Sequence, residues 1–306
     1  MARAREERRV LKVWKSQPTL EGAEVRLRRA FGFHEVPRLD PFLLLDAFGS
    51  SNPADYVRGF PWHPHRGMET ITYMLDGTVE HGDSLGNKGV LSQGDVQWMT
   101  AGSGIIHQEM PKGSASGKMA GFQLWANLPA RDKMMDPRYQ EVRGAEVPLV
   151  TPADGVAVKV VCGAVDGVRG PVGDIVTDPE YLDVALAPGR SFVHPVPPGH
   201  TVFAYVFEGA AWFDDRRGPL PADVVSPESG ASRSPLLGEG SLVVWGPGDA
   251  VRVETGEIPA RFLLVSGRTL GEPIAWRGPI VMNTDDELRQ AADELDRGTF
   301  VKRAGR

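Results

Sequence analysis

The chain has 306 residues, about twice a common domain length, so it can form two compact units that each bury a core. Its 40 acidic and 34 basic residues leave a formal charge of -6, which argues against a general nucleic-acid surface because phosphate binding relies on concentrated Lys and Arg. A single cysteine excludes an intramolecular disulfide, and neither an apolar signal segment nor a membrane-length apolar run occurs, so a soluble cytoplasmic protein is expected.

The basic run Arg3 to Arg9, interleaved with Glu6 and Glu7, reads as a solvated tail. Beyond it, 36 Gly and 25 Pro separate short runs rich in Val, Ile, Phe, Trp and Thr, the pattern of many short strands joined by turns. The first run with chemistry is Pro61-Trp-His63-Pro-His65-Arg-Gly-Met-Glu69. His63, His65 and Glu69 share a parity, so on one pleated strand they would project to one face. Alternating Ile71, Tyr73 and Leu75 lead to Asp76-Gly77, which predicts a tight hairpin turn into Thr78 to His81. His81 reads as polar framework, and His34, His194 and His200, which lack an i, i+2 partner, as ordinary structural histidines.

The segment Gly94 to Glu109 repeats the device, with His107 and Glu109 two apart and Ile106 and Met110 facing the other way. Two such strands side by side bring together three imidazoles and one carboxylate. That donor set suits Fe(II), Mn(II), Ni(II) or Co(II) and leaves coordination positions open for a ligand. Geometry alone leaves Glu69 and Glu109 as alternatives for the carboxylate.

Pro129 to Pro137 and Asp214 to Gly240 read as loops, the second as a mobile insertion. A boundary near Pro148 to Gly155 divides the chain into residues 1–150 and 151–306. Cys162, in an apolar run, is expected to be a buried structural thiol. A weak internal repeat places Thr72 to Gly77 on Ala204 to Gly209, and Gly94-Asp95 on Gly248-Asp249, which predicts two copies of one β-barrel module. Carried through these offsets, the ligand positions become Pro195, Pro197, Thr201, Arg261 and Leu263, so the second module retains no metal set. Near the end, Thr284-Asp-Asp-Glu287 predicts a capping box ahead of a short helix that Gly298 stops.

Leu39 to Asp46, His63-Pro-His65-Arg-Gly-Met-Glu69-Thr, Gly94 to Gly102, His107-Gln-Glu109 and Gly278-Pro279 together resemble the pirins, two-barrel members of the cupin superfamily, over nearly the whole chain. The resemblance implies an all-β fold of two cupin-type jelly-roll barrels (a bicupin) with a short C-terminal helix. It implies one divalent transition metal per chain, foremost Fe(II), with Mn, Ni, Co, Cu or Zn as alternatives, held by His63, His65, His107 and Glu109. Glu69 then becomes a hydrogen-bonding neighbour of the ligands. Some similar proteins are quercetin 2,3-dioxygenases, which open the central ring of a flavonol with dioxygen and release carbon monoxide. In that role Glu109 is also the catalytic base. Others are redox-sensitive regulators that bind a transcription factor or metabolic enzyme, for which the metal-free C-terminal barrel would offer the partner surface. A cupin-type sugar isomerase ranks below both, since no basic cluster accompanies the metal strands.

Overall fold

The structure is a computed structural model that describes residues 6–33, 39–226 and 230–302; His34 and the start of the Arg3 to Arg9 run lie outside these residues. It divides into two compact units, one of residues 18–146 and 270–306, the other of residues 1–17 and 147–269.

Among the described residues the first unit is built on two antiparallel sheets. The larger runs Arg138–Val142, Val96–Thr100, Met68–Asp76, Met119–Asn127, Phe42–Ser50, Val25–Phe31 and Gln17–Glu21 in spatial order. The smaller runs Phe60–His65, Ile105–Lys112, Thr78–Asp83 and Lys88–Leu91. Val25, Leu27, Phe48, Met74, Val79 and Leu91 form a buried apolar cluster drawn from both sheets. In the second unit the Val156–Cys162, Glu180–Leu186, Ala260–Arg268 and His200–Trp212 strands lie side by side, and their Val, Leu and Phe side chains fill the interior. Gly77, just after Met68–Asp76, and Gly209, within His200–Trp212, hold corresponding positions with φ of 76° and 67°, values that L side chains resist, which is why the repeat is visible at these glycines.

Several expectations need correction. The units exchange their chain ends relative to the expected cut after residue 150. Val10–Lys15 pairs antiparallel with Ser241–Trp245, so the first residues complete the second unit. The capped helix Asp285–Asp296 buries Leu288 and Ala291 with Ile280, Met282 and Phe300, against which Ile106 of the first unit packs. The basic run is not a free tail at Arg8, which is 4% exposed and donates to the carbonyls of Pro197, His200, Gly246 and Gly248. A guanidinium that meets four carbonyls can be buried despite its charge.

Asp76-Gly77 is not a hairpin turn. Met68–Asp76 and Thr78–Asp83 belong to different sheets, and Gly77 carries the chain from one to the other. The Asp214 to Gly240 insertion is anchored, because Leu220, Val224, Val225 and Leu237 sit in the second unit's core. Cys162 is buried as expected.

Candidate metal centre

Phe60–His65 and Ile105–Lys112 are neighbours in the smaller sheet, with His63 directly opposite His107 and His65 opposite Ile105. Strand parity then turns His63 and His65 to one face, as the i, i+2 spacing predicts. Their Nε2 atoms are 3.1 Å apart, and those of His63 and His107 are 2.9 Å apart. The donor atoms of all three residues lie within 4.8 Å of one another.

The tautomers test whether this cluster fits a cation. Nδ1 of His63 lies 2.8 Å from the Pro61 carbonyl and Nδ1 of His65 lies 3.2 Å from the Pro279 carbonyl. A carbonyl only accepts, so each Nδ1 carries the proton and each Nε2 presents a lone pair to the other. Facing lone pairs repel unless a cation lies between them. Two ligand nitrogens each ~2.1 Å from one ion and at right angles would be about 3 Å apart, the spacing found here. Burial, together with the neighbouring His107 and His63, holds His65 well below the usual imidazole range. His107 is pushed down to about 3, first by burial and then by His63 and His81. Both rings are thereby kept neutral and ready to donate their lone pairs.

Glu109 stands beside the three rings. A bulge between His107 and Glu109 sets Glu109 opposite Phe60, and its Oε2 is 3.8 Å from His107 Nε2. The carboxylate falls outside the tight group of three nitrogens. Its Oε1 is 3.2 Å from Thr72 Oγ1, and burial raises its pKa against the opposing pull of His63 and Thr72. Glu69 is in a different position from that expected. Arg66-Gly67 ends the histidine strand, so Glu69 belongs to the other sheet and has the opposite parity to Thr72. It accepts a 2.7 Å hydrogen bond from Thr100. Gly67 has φ of 74°, and a Cβ there would come within 2.0 Å of the Val281 carbonyl.

Supporting contacts come from residues that motif reading passes over. Arg66, 1% exposed, donates to the carbonyls of Ser103 and Phe300 and to Glu294, which fixes the C-terminal segment that bears Pro279. Lys133 Nζ donates to Gly67 O, Asn127 Oδ1 and Val281 O. Trp125 packs its ring edge-on to His65 at 5.2 Å. Only strand register could have found Thr72 and Trp125, and no local signal announces the contact between His65 and Pro279.

The other histidines lie apart from this group. His81 Nε2 touches Glu141 Oε1 at 2.7 Å without the alignment of a hydrogen bond, and its ring stacks on Tyr139. His194 meets Glu180 at 3.1 Å, a partner not foreseen from the sequence, and His200 is buried in the second unit. The structural counterpart of the His107 strand in that unit is Ala250–Glu254, paired with Ser191–Pro195, not the strand of Arg261 and Leu263. Its buried members are Ala250, Val251 and Val253, and among the described residues His63, His65 and His107 are the group of three that could hold an ion.

A cavity of about 760 Å³ opens onto His63, His65 and Glu109. Phe60, Trp62, Trp125 and Trp276 give it aromatic walls, while Glu21, Arg29, Asp46 and Arg277 bring charge to its lining. The volume lies in the range of small-molecule sites.

A histidine cluster on paired strands inside an antiparallel barrel, open to an aromatic cavity, defines a cupin with a candidate metal centre. Residues 24–126 match the family model "Pirin" and residues 181–301 match "Pirin C-terminal cupin domain". A pirin-like protein of Caulobacter vibrioides is 46% identical over 96% of this chain and 99% of its own length. Pirin of Homo sapiens is 41% identical over 90% of this chain and 88% of its own. Among solved structures, a quercetin 2,3-dioxygenase from Acinetobacter baumannii superposes with a TM-score of 0.83 at 28% identity, covering 96% of this chain and 98% of that one. The chain belongs to the pirin family.

Proposed function

We propose that this protein is a metal-dependent dioxygenase that opens the central ring of a flavonol such as quercetin and releases carbon monoxide. The observation that carries the reading is a cluster of three lone-pair-bearing imidazoles of which His63 and His65, together with the buried carboxylate of Glu109, line an aromatic cavity large enough for a flavonoid. Its likeness to the Acinetobacter baumannii enzyme supports the substrate class.

His63, His65, His107 and Glu109 would hold the ion, for which Fe(II) is the leading choice. When bound, the ion supplies Lewis acidity and one-electron redox chemistry. The chain's own residues do the rest. Glu109, whose pKa burial raises, takes the proton from the flavonol hydroxyl and so leaves the ring electron-rich. Thr72 holds the carboxylate in place from the neighbouring sheet. The aromatic walls orient the flat substrate and keep water from the reacting face.

The deciding experiment is dioxygen uptake and carbon monoxide release by Fe(II)-loaded protein with quercetin, alongside a His63→Ala control that should lose the metal. Carbon monoxide from the intact site alone supports the reading; a fully metallated protein that consumes no dioxygen with any flavonol ends it. A cytoplasmic location belongs to the same proposal and is supported by the single buried Cys162.

A further inference from the structure

Aromatic rings form a continuous series from the candidate metal centre to the protein surface. Trp125 stands edge-on to His65 with ring centroids 5.2 Å apart, Trp276 follows Trp125 at 6.2 Å, and Phe33, 45% exposed, closes the series on Trp276 at 5.3 Å. Each spacing is that of rings in contact. A second route reaches the same indole through hydrogen bonds and the backbone. Nδ1 of His65 donates to the Pro279 carbonyl, and Nε1 of Trp276 donates at 2.6 Å to the carbonyl of Gly278, the residue before it. A candidate ligand is thus joined twice to one half-buried tryptophan.

The fold does not require tryptophan at the first step of this series. Trp125 lies opposite Thr70. In the second unit Ser266 lies opposite Val202, the residue that the internal repeat, extended by two positions, superposes on Thr70. The unit without a histidine cluster therefore holds a hydroxyl where the unit with one holds an indole. Indoles give up an electron far more readily than phenyl rings, so a series of two tryptophans behind a redox-active ion can conduct charge as well as line a cavity.

We infer that Trp125 and Trp276 form an electron relay that protects the metal centre when a peroxide reaches it in the absence of substrate. Hydrogen peroxide takes two electrons and two protons to become two waters. Bound Fe(II) supplies one electron and ends as Fe(III), Trp125 supplies the other, and the protons come from solvent. Trp276 then re-reduces Trp125, and a soluble thiol or ascorbate re-reduces Trp276, so no bond in the protein is broken. The relay stops at Trp276 because the phenyl ring of Phe33 is too hard to oxidise. The Nε1–H of Trp276 meets only a carbonyl, which does not take its proton, so return of the electron restores the starting state. This goes beyond the functional reading above: it needs a redox-active ion at the histidines but no flavonol.

The test adds one equivalent of hydrogen peroxide to Fe(II)-loaded protein without flavonol, traps radicals by rapid freezing for electron paramagnetic resonance, and maps oxidised residues by peptide mass spectrometry. Wild type should give a tryptophan radical, with indole oxidation concentrated at Trp276 rather than at Trp62, the other exposed tryptophan of the cavity, and ascorbate should suppress both signals. Trp125→Phe should abolish oxidation of Trp276 and shift damage to His65, while Trp276→Phe should leave the radical on Trp125. Zinc-loaded protein, whose ion has no redox chemistry, should give no radical. Oxidation of Trp276 that persists in Trp125→Phe, or equal oxidation of Trp62 and Trp276 in wild type, would mean a diffusing oxidant and overturn the relay. So would a wild-type protein in which no tryptophan radical forms. Should Trp125→Phe not fold, the wild-type comparison of Trp276 with Trp62 decides alone. None of these readouts involves flavonol turnover, so the relay and the functional reading fail separately.

Discussion

His65 Nδ1 lies 3.2 Å from the carbonyl oxygen of Pro279, 214 residues further along the chain, so the C-terminal segment sets the direction of a candidate ligand. That segment is fastened by Arg66, which is 1% exposed and reaches Glu294 at 2.6 Å. Glu294→Gln should leave a buried guanidinium without its counter-charge and destabilise the protein by about 3 kcal/mol. It should also weaken metal retention by roughly tenfold, since partners behind metal ligands contribute that order of affinity. Urea unfolding and chelator competition measure the two effects. A destabilised variant with wild-type metal retention would separate the segment from the site.

Lys133 should make stability depend on pH. Burial lowers its pKa from 10.5 to about 7, against the raising influence of Glu272 and Glu287. Between these values the unfolded chain binds more protons than the folded one, so this lysine's contribution to stability rises with pH from about 7 to 10.5. The cost of burying the ammonium is fully present below pH 7. Lys133→Met should flatten the rise in unfolding free energy across that window, by a few kcal/mol in total. Parallel pH profiles for wild type and variant would show instead that the oxygens of Gly67, Asn127 and Val281 offset the burial cost.

What could be read from sequence was whatever strand parity alone decides. His63 and His65 share a face because they are two apart on one strand, and His107 joins them because its strand is the neighbour. Parity fails where the strand ends. Glu69 appeared to share that face, but Gly67 turns the chain into the other sheet and reverses the alternation. The same limit explains Asp76-Gly77, where a local turn signal fits a crossing between sheets as well as a hairpin. The register that sets Arg29 opposite Asp46, Asp46 opposite Gln123, Gln123 opposite Thr72, Thr72 opposite Gln97 and Gln97 opposite Glu141 uses six strands scattered along the chain, and no single segment encodes it. Arg8 illustrates the remaining case, because its four carbonyl partners lie far from it in the chain and nothing in the Arg3 to Arg9 run marks it for burial.

The Glu21, Arg29 and Asp46 trio should repel anionic ligands from its side of the cavity, whose lining also holds Arg277. Arg29 is shared by Asp46 and Glu21, each at 2.7 Å, so the trio carries one net negative charge. Asp46→Asn makes the trio neutral. Binding of a flavonol sulfate should then improve about fivefold relative to the parent flavonol, with the gain shrinking as salt is raised. Fluorescence titration at two ionic strengths measures both changes. A salt-independent gain would point to altered shape rather than charge.

Glu109 has two roles in the proposed reaction, and a conservative substitution separates them. Its Oε2 lies 3.8 Å from His107 Nε2, outside the tight group of imidazole nitrogens, while its Oε1 is 3.2 Å from Thr72. Three nitrogens remain to hold an ion when the carboxylate becomes an amide, so Glu109→Gln should keep most of the wild-type metal content. The amide cannot accept the substrate's proton, and turnover of a flavonol should fall by about 10²- to 10⁴-fold. Metal analysis and carbon monoxide release on the same sample measure the two quantities. If the metal is lost along with activity, Glu109 acts first as a ligand. If metal and turnover both survive, proton removal does not depend on this carboxylate and the proposed division of labour at the site is wrong.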